Sequence, residues 1–427
     1  MKQSALPSAS WGAVLVAALS LVCIRDVSAS TEQVLYSFSA KQDGGQPNCA
    51  LVFGQKGILY GTAQVGGNLS ACKGMGCGAV YELKYTAHGW KETVVFSFNG
   101  SNGDSPVSSV IMGNTQTLYG TTAYGGGGHG VVFQLMSGSN QTWRETLLHT
   151  FMGSQDGSTP FGDLLADSNG NLYGTTRYGP SSGHNRGYGV VFELERRKDG
   201  WSEKKLYEFT GAPDGADPYS GLASDGQGNL YGTTFNGGNT NSNCWQASCG
   251  TVFMLSPQSS GVYKEKVLHT FCSGSCGDGG NPKGGVIFDD KGNLYGTTVR
   301  NAGSKGTVFE LSPNSDGTWT ETVIYSFGGR DGMDPDGGLV LDEKGNLYGT
   351  TDVGGVGGNC PSGCGTVFEL TPNLAGGWSE SVLHYFGAEG DGTHPRRNLI
   401  IDKAGNLYGV TPTGGLYGQG TIFEITP

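Results

Sequence analysis

The chain has 427 residues, and 77 of them are glycine, more than twice the roughly 7% of an ordinary protein. Charged residues make up 15%, too few for a disordered polyelectrolyte; 16 prolines and no Gly-X-Y period exclude a collagen. Lys and Arg number 26 against 37 Asp and Glu, a net charge of −11, which leaves no electrostatic footprint for nucleic acid.

The first 29 residues read as an export address. Lys2 precedes an apolar run from Trp11 to Ile24, and Val27 and Ala29 form the small-residue pattern of a cleavage site. A secretory signal peptide over residues 1–29, cut after Ala29, is therefore expected. The run is short for a bilayer span, and an uncleaved anchor is the rival reading. Val22 before Cys23 is not the small residue of a lipoprotein signal. No later segment is apolar enough to span a membrane, so a secreted mature chain, periplasmic or extracellular, is expected.

The mature chain opens with a lone strand, Glu32 to Phe38. Four strings then recur. An apolar run ending in Asp leads through D-x-x-G-N into LYGT, whose Tyr stands at 60, 119, 173, 231, 295, 348 and 408 (the last in LYGVT). Variants of GTVFEL begin at Gly78, Gly130, Gly189, Gly250, Gly306, Gly365 and Gly420. The string W-x-E-x-VLYSF ends at Phe98, Phe151, Phe209, Phe271, Phe327 and Phe386. Each string is short, rich in Val, Ile, Tyr, Phe and Thr, and bounded by turn formers, which predicts strands. The D-x-x-G-N between the first two predicts a tight hairpin with glycine at positive φ. No helical period appears.

Four antiparallel strands repeated seven times predict an all-β fold: a single seven-bladed β-propeller over residues 30–427. The chain ends on a lone third strand, GTIFEITP. Pairing it with residues 32–38 completes blade seven, closes the ring and hides two open edges. A linear solenoid would need capping repeats, and a transmembrane barrel longer strands with one lipid face.

The tandem unit GNLYGTTxxGG…GTVFELSP…W-x-E-x-VLYSF resembles the GloVer tandem repeat of exported bacterial proteins over nearly all of residues 32–427. The resemblance implies an exported, β-rich repeat protein, often surface-anchored, and carries over no catalytic residue. The chain departs from the anchored pattern by stopping at its last strand.

Cys23 leaves with the signal, so nine cysteines remain. Eight form close pairs, Cys72/Cys77, Cys244/Cys249, Cys272/Cys276 and Cys360/Cys364, and read as local loop disulfides. Cys49 is the odd one. Zinc held by Cys244, Cys249, Cys272 and Cys276 is the rival, but their spacing is not that of a zinc ribbon. No metal or cofactor is called for.

Function is expected on the face that carries the variable, cysteine-stapled loops between second and third strands. The loops before each inner strand hold Asp43, Asp104, Asp156, Asp214, Asp278, Asp331 and Asp391. Seven equivalent carboxylates read as turn caps, with a cation-binding ring at the channel mouth as the alternative. Asymmetry appears after the loop Pro. One residue on stand Asn48, Val107, Phe161, Tyr219, Lys283, Asp336 and Arg396; three on stand Ala50, Ser109, Asp163, Gly221, Gly285, Gly338 and Asn398. Phe161, Asp163, Tyr219, Lys283, Asp336, Arg396 and Arg397 are the candidate ligand-binding residues. His149, His269 and His384 share one strand position and read as repeat core. The glutamates of W-x-E, Glu32, Glu92, Glu145, Glu203, Glu265, Glu321 and Glu380, read as scaffold. G-P-S-S-G at 179–183 imitates a nucleophile elbow without its helix.

The leading expectation is a secreted or cell-surface binding module for carbohydrate or peptide, acting as a monomer, with no catalytic residues. One alternative is a propeller lyase of polysaccharide or streptogramin type, which would need His129, His184, His394, Lys283, Arg396 or Arg397 to converge at the mouth. Another is a structural envelope protein.

Overall fold

The computed structural model describes residues 30–427 except 115, 139, 141, 181–185, 241–243, 245–247, 260, 273–275, 300–304 and 375. The expected signal peptide and His184 lie outside the described residues. The protein is a seven-bladed β-propeller of four-stranded antiparallel blades. Blade six is typical. Its inner strand Val340–Leu341 pairs with Leu347–Thr351, then Thr366–Pro372, then the outer strand Trp378–Tyr385. Among the described residues there is no α-helix, only short 3-10 turns at Gln55–Gly57 and Cys72–Gly74.

The ring closes as the strand count requires. Thr31–Ser37 pairs antiparallel with Thr421–Thr426, with Glu32 opposite Ile425 and Val34 opposite Phe423. The inner strands differ from expectation. The apolar run predicts a full strand, but in six blades only two residues hold the ladder. The residues before those two lie near the axis, where blades converge, and bond to neighbouring blades instead.

Each seam between blades is built the same way. The Gly that opens the third strand has positive φ, from 83° at Gly250 to 105° at Gly306. It also touches the loop Pro of the next blade: a Cβ on Gly189 or Gly306 would lie 2.4 Å from Cδ of Pro218 or Pro335. No other residue meets both demands. Deeper in the seam, the Phe ending one outer strand packs on the third-strand aromatic of the next blade. Examples are Phe98 on Phe133 and, across the closure, Phe38 on Tyr81, both at 5.1 Å between centroids. Nearer the axis, Oγ1 of Thr121, Thr175, Thr233, Thr297 and Thr350 donates to a carbonyl of the next blade. Cys49 fills the place that Ser108 and Ser220 hold elsewhere. Its Sγ accepts from Thr62 N at 3.1 Å, and burial pushes the thiol up to about 11, so it is structural rather than reactive.

The W-x-E glutamates form the outer layer of the seams. One oxygen of each of the seven is buried without a partner. Burial pushes the carboxyls up, to about 8 for Glu92 and about 7 for Glu32, Glu145, Glu265 and Glu380. The preceding blade's loop Asp adds to the rise for Glu32, Glu92, Glu265 and Glu380. Six of the seven loop aspartates are caps. Asp331 accepts from Gly328 N at 2.9 Å and Tyr325 OH at 2.6 Å; Asp391 accepts from Gly387 N and pairs with His384 Nε2, both at 3.0 Å. Because their partners include the outer strands, these carboxylates lie away from the axis, not at the channel mouth. Asp104 departs from the pattern: Asn102 takes its place, accepting from Asn99 N at 2.9 Å.

All four cysteine pairs are disulfides: Cys72–Cys77, Cys244–Cys249, Cys272–Cys276 and Cys360–Cys364. Each closes a short loop on the face of the variable connections.

Deleting residues 30–39 removes the closing strand and the buried Leu35 and Phe38, at about 1.5–3 kcal/mol for each side chain. The truncated protein is expected to aggregate or melt far lower; an unchanged melting temperature would contradict the closure.

A second expectation concerns pH. A carboxyl raised in the folded state stabilises the fold below its unfolded value of about 4.5, and that contribution is lost as pH climbs toward about 8 for Glu92. Glu92→Gln cannot ionise, so its stability should fall less over that window, by about 1 kcal/mol or more. Equal slopes in pH-dependent melting curves would show that Glu92 ionises freely.

Candidate functional site

The mouth of the central channel follows from the seams. Each loop Pro is held against the preceding blade's Gly, which aims the next residue at the axis. Asn48, Phe161, Tyr219, Lys283, Asp336 and Arg396 thereby line one cavity of about 160 Å³, with Arg397. Below it lies a second cavity of about 100 Å³, lined by Ala50, Asp163, Gly221, Gly285 and Asn398 as well as by upper-tier residues. The structure thus brings six of the seven sequence-selected residues to the mouth and Asp163 to the tier below it. Val107, at the equivalent position of blade two, is buried instead.

The lower tier is a brace. Asp163 Oδ1 accepts from Ser109 N at 2.6 Å, and Asn398 Oδ1 from Gly338 N at 2.6 Å, each reaching back to the preceding blade. Ser109 Oγ in turn accepts from Ala50 N at 2.9 Å. The glycines there keep blades close: a Cβ on Gly221 would lie 2.7 Å from Asp163 O. A ligand at this site therefore enters from the mouth and is held in the upper tier.

In the upper tier the charges are largely paired. Lys283 Nζ donates to both oxygens of Asp336 at 2.8 Å. Burial raises the Asp336 carboxyl, and Lys283 pulls it back. Arg396 Nε donates to Asp352 Oδ1 at 2.8 Å. Arg397 Nε donates to Asn48 Oδ1 at 3.3 Å, and among the described residues its terminal nitrogens have no hydrogen-bond partner.

On the opposite side of the mouth stand aromatics. Phe161 and Tyr219 lie 5.6 Å apart, and Tyr219 and Phe235 5.3 Å apart. The Arg177 guanidinium sits 4.5 Å from the Tyr219 ring centre, a cation–π contact. Burial pushes the Tyr219 hydroxyl up to about 12, against the pull of Arg177. One half of the mouth is therefore apolar and flat, the other polar and charged.

Sequence reasoning missed Arg177, Phe235 and Asp352. They share one position, directly after the second strand, where the blades also differ: Gln64, Ala123, Arg177, Phe235, Val299, Asp352 and Pro412. The variation that singled out the residues after the Pro was present there too.

The histidines do not gather. His129 lies beside Gly153 in the loop after blade two, while His394 Nδ1 bonds Asp352. Among the described residues these mouth candidates form no convergent triad; the carboxylates of Glu32 and Asp391 gather around His384 instead, at the outer strands. Two larger hollows lie elsewhere, about 940 Å³ beside the closing strand and about 800 Å³ on the opposite face. The mouth stands out by its blade-specific side chains, not its size.

The profile of the Gloeobacter/Verrucomicrobia repeat matches residues 22–245 and 240–427. The chain belongs to this repeat family. No curated protein matches it. Among solved structures, the chain is similar to an α-L-arabinofuranosidase from Clostridium thermocellum ATCC 27405, at 13% identity and a TM-score of 0.34, over 64% of this chain and 92% of that one. Among the described residues, no helix is long and apolar enough to cross a membrane.

The Asp352 cluster is open to direct test. Its hydrogen bond raises His394, while His394 and Arg396 hold Asp352 below the usual carboxylate range despite its burial. Asp352→Asn should bring the His394 titration down toward that of an ordinary histidine. An NMR titration of the ring protons that shows no shift would rule the pairing out.

Proposed function

We propose that this repeat protein is an exported binding module that holds the end of a saccharide or peptide chain at its channel mouth. The observation that carries the reading is the convergence of side chains that differ in every blade on a scaffold that otherwise repeats. Seven equivalent contacts cannot serve one small asymmetric ligand, whereas a mouth with Phe161 and Tyr219 on one side and Asp336, Arg396 and Arg397 on the other can. The upper cavity, about 160 Å³, suits a single sugar ring or amino-acid side chain. Its side chains are pre-organised by the clamped Pro, which lowers the ordering cost of binding. Export is supported by the amino-terminal address and by the four disulfides, which persist in oxidising compartments. A monomer is supported by ring closure, which pairs the two terminal strands with each other and leaves only the short outer edges of the blades.

A glycan array and a peptide-library pull-down with the mature protein supply the test. Against a ligand so found, Tyr219→Ala and Arg397→Ala should each weaken binding by about tenfold or more, ~1.4 kcal/mol. Asp331→Ala should lower stability by about 0.5–2 kcal/mol, the range of a lost cap, and leave binding intact. Loss on Asp331→Ala with the mouth variants unaffected would overturn the assignment, and silence on both arrays would favour a purely structural role.

A further inference from the structure

The face opposite the mouth has its own break in symmetry, at the seam between blades seven and one. In four of the other six seams the Tyr of LYG packs against the Trp of the next outer strand: Tyr60–Trp143 at 5.8 Å, Tyr119–Trp201 at 5.9 Å, Tyr231–Trp319 at 6.3 Å and Tyr295–Trp378 at 6.0 Å; blades four and seven have Tyr263 and Ser30 at the Trp position. At the seam between blades seven and one Tyr408 meets Phe53 at 5.7 Å, as Tyr231 meets the equivalent Phe288 at 5.0 Å alongside Trp319. Trp90 makes its ring contact with Tyr85, edge-on at 5.3 Å, while packing against the buried cluster that holds Tyr408. Tyr85 stands opposite Trp90 in the hairpin ladder, where Pro257, Pro313 and Pro372 stand in blades four, five and six.

Blade one also lacks the D-x-x-G-N turn. Gly54 to Gly57 replaces it with a 3-10 turn, in which Lys56 has φ +57°. Together these departures open a hollow of about 800 Å³ that spans blades seven and one. Tyr85 is 67% exposed and Phe53 36%. The charges at its rim are uneven. Asp402 is fully engaged, accepting from Ala404 N, Asn406 N, Asn406 Nδ2 and Tyr408 OH. Lys56 and Lys403, both exposed, have no carboxylate partner among the described residues. A chain of net charge −11 thus places two cations beside the exposed Tyr85 and Phe53.

We propose that this hollow is a second binding site, for an acidic saccharide. A pyranose presents a flat face of C–H groups and a rim of hydroxyls. The first fits an exposed ring such as Tyr85, and a carboxylate or sulfate on the sugar fits Lys56 and Lys403. A nucleic acid also stacks on aromatics, but its affinity rests on many phosphate contacts, and two lysines on an acidic chain supply few. The site is independent of the channel mouth, on the far face of the ring.

The test uses the mature protein and a panel of oligogalacturonate, oligoalginate and chondroitin sulfate fragments, with cellohexaose, an acidic peptide and a thymidine oligonucleotide as comparisons, read by calorimetry. At least one acidic saccharide should bind, more weakly at high salt, and cellohexaose should bind less well. Tyr85→Ala should weaken binding by about tenfold or more, and Tyr85→Phe should restore it. Lys56→Gln with Lys403→Gln should remove the preference for acidic over neutral sugar. Tyr219→Ala at the mouth should change nothing, which separates this site from the mouth. Melting curves of the variants should match the parent, since the altered side chains are exposed. Binding of no acidic saccharide, binding that ignores Tyr85→Ala, or binding of the peptide or oligonucleotide alone would overturn the proposal.

Discussion

One contact recurs at every seam and the rest of the ring depends on it: glycine of one blade against proline of the next. The glycine needs positive φ to turn the chain into the third strand, and it needs a bare Cα to admit the proline ring. In all seven seams a Cβ would come within 2.4–2.8 Å of the proline Cδ. The glycine carbonyl then accepts from the Phe that ends its own blade's outer strand, as Gly130 O does from Phe151 N at 3.1 Å. A single small residue so ties strand geometry, blade spacing and the placement of the buried Phe together. Seven of the 77 glycines are held at fixed places by that constraint.

The same contact makes a variable mouth possible. Once the proline is clamped, the residue after it is delivered to the axis whatever its identity, because packing energy resides in Gly, Pro and Phe. Phe161, Lys283 and Asp336 can therefore differ without disturbing the blades. Where the side chains three positions after the proline are polar, they add bracing, as Asp163 and Asn398 do. Where they are glycine, blades approach more closely. Stability and specificity thus occupy adjacent positions of one loop.

The legible part of this protein was whatever repeats. Strand count, blade order, closure by residues 32–38 and the disulfide pairs follow from periodicity and from short spacings. The position after the proline was legible because its departures stand out against a fixed neighbour. Arg177 and Asp352 were missed because the second strand has no proline to mark where it ends, and Arg177 acts across the seam on Tyr219. The aspartate ring was misplaced for a related reason. Loop sequence shows that a carboxylate caps a turn but not on which side of the blade the turn lies; the bonds to Tyr325 and His384 place it at the outside. Asp104 was grouped with the others by its proximity to Gly103, although Asn102 performs the capping.

Closure is also where a ring of repeats must be irregular. Blade seven joins strands from the two ends of the chain, so the break in the repeat lies inside that blade, while the loop after Ser37 still carries the chain into blade one. Tyr85 and Lys56 fall beside the seam between these two blades, where Tyr85 and Phe53 form an exposed aromatic corner. Four of the seven seams hold a Tyr–Trp ring pair. Two exposed rings grouped in one hollow, Tyr85 and Phe53, suit the partner proposed above. The lysines at its rim give that partner a sign of charge, and so a chemistry that differs from whatever the channel mouth holds on the other face.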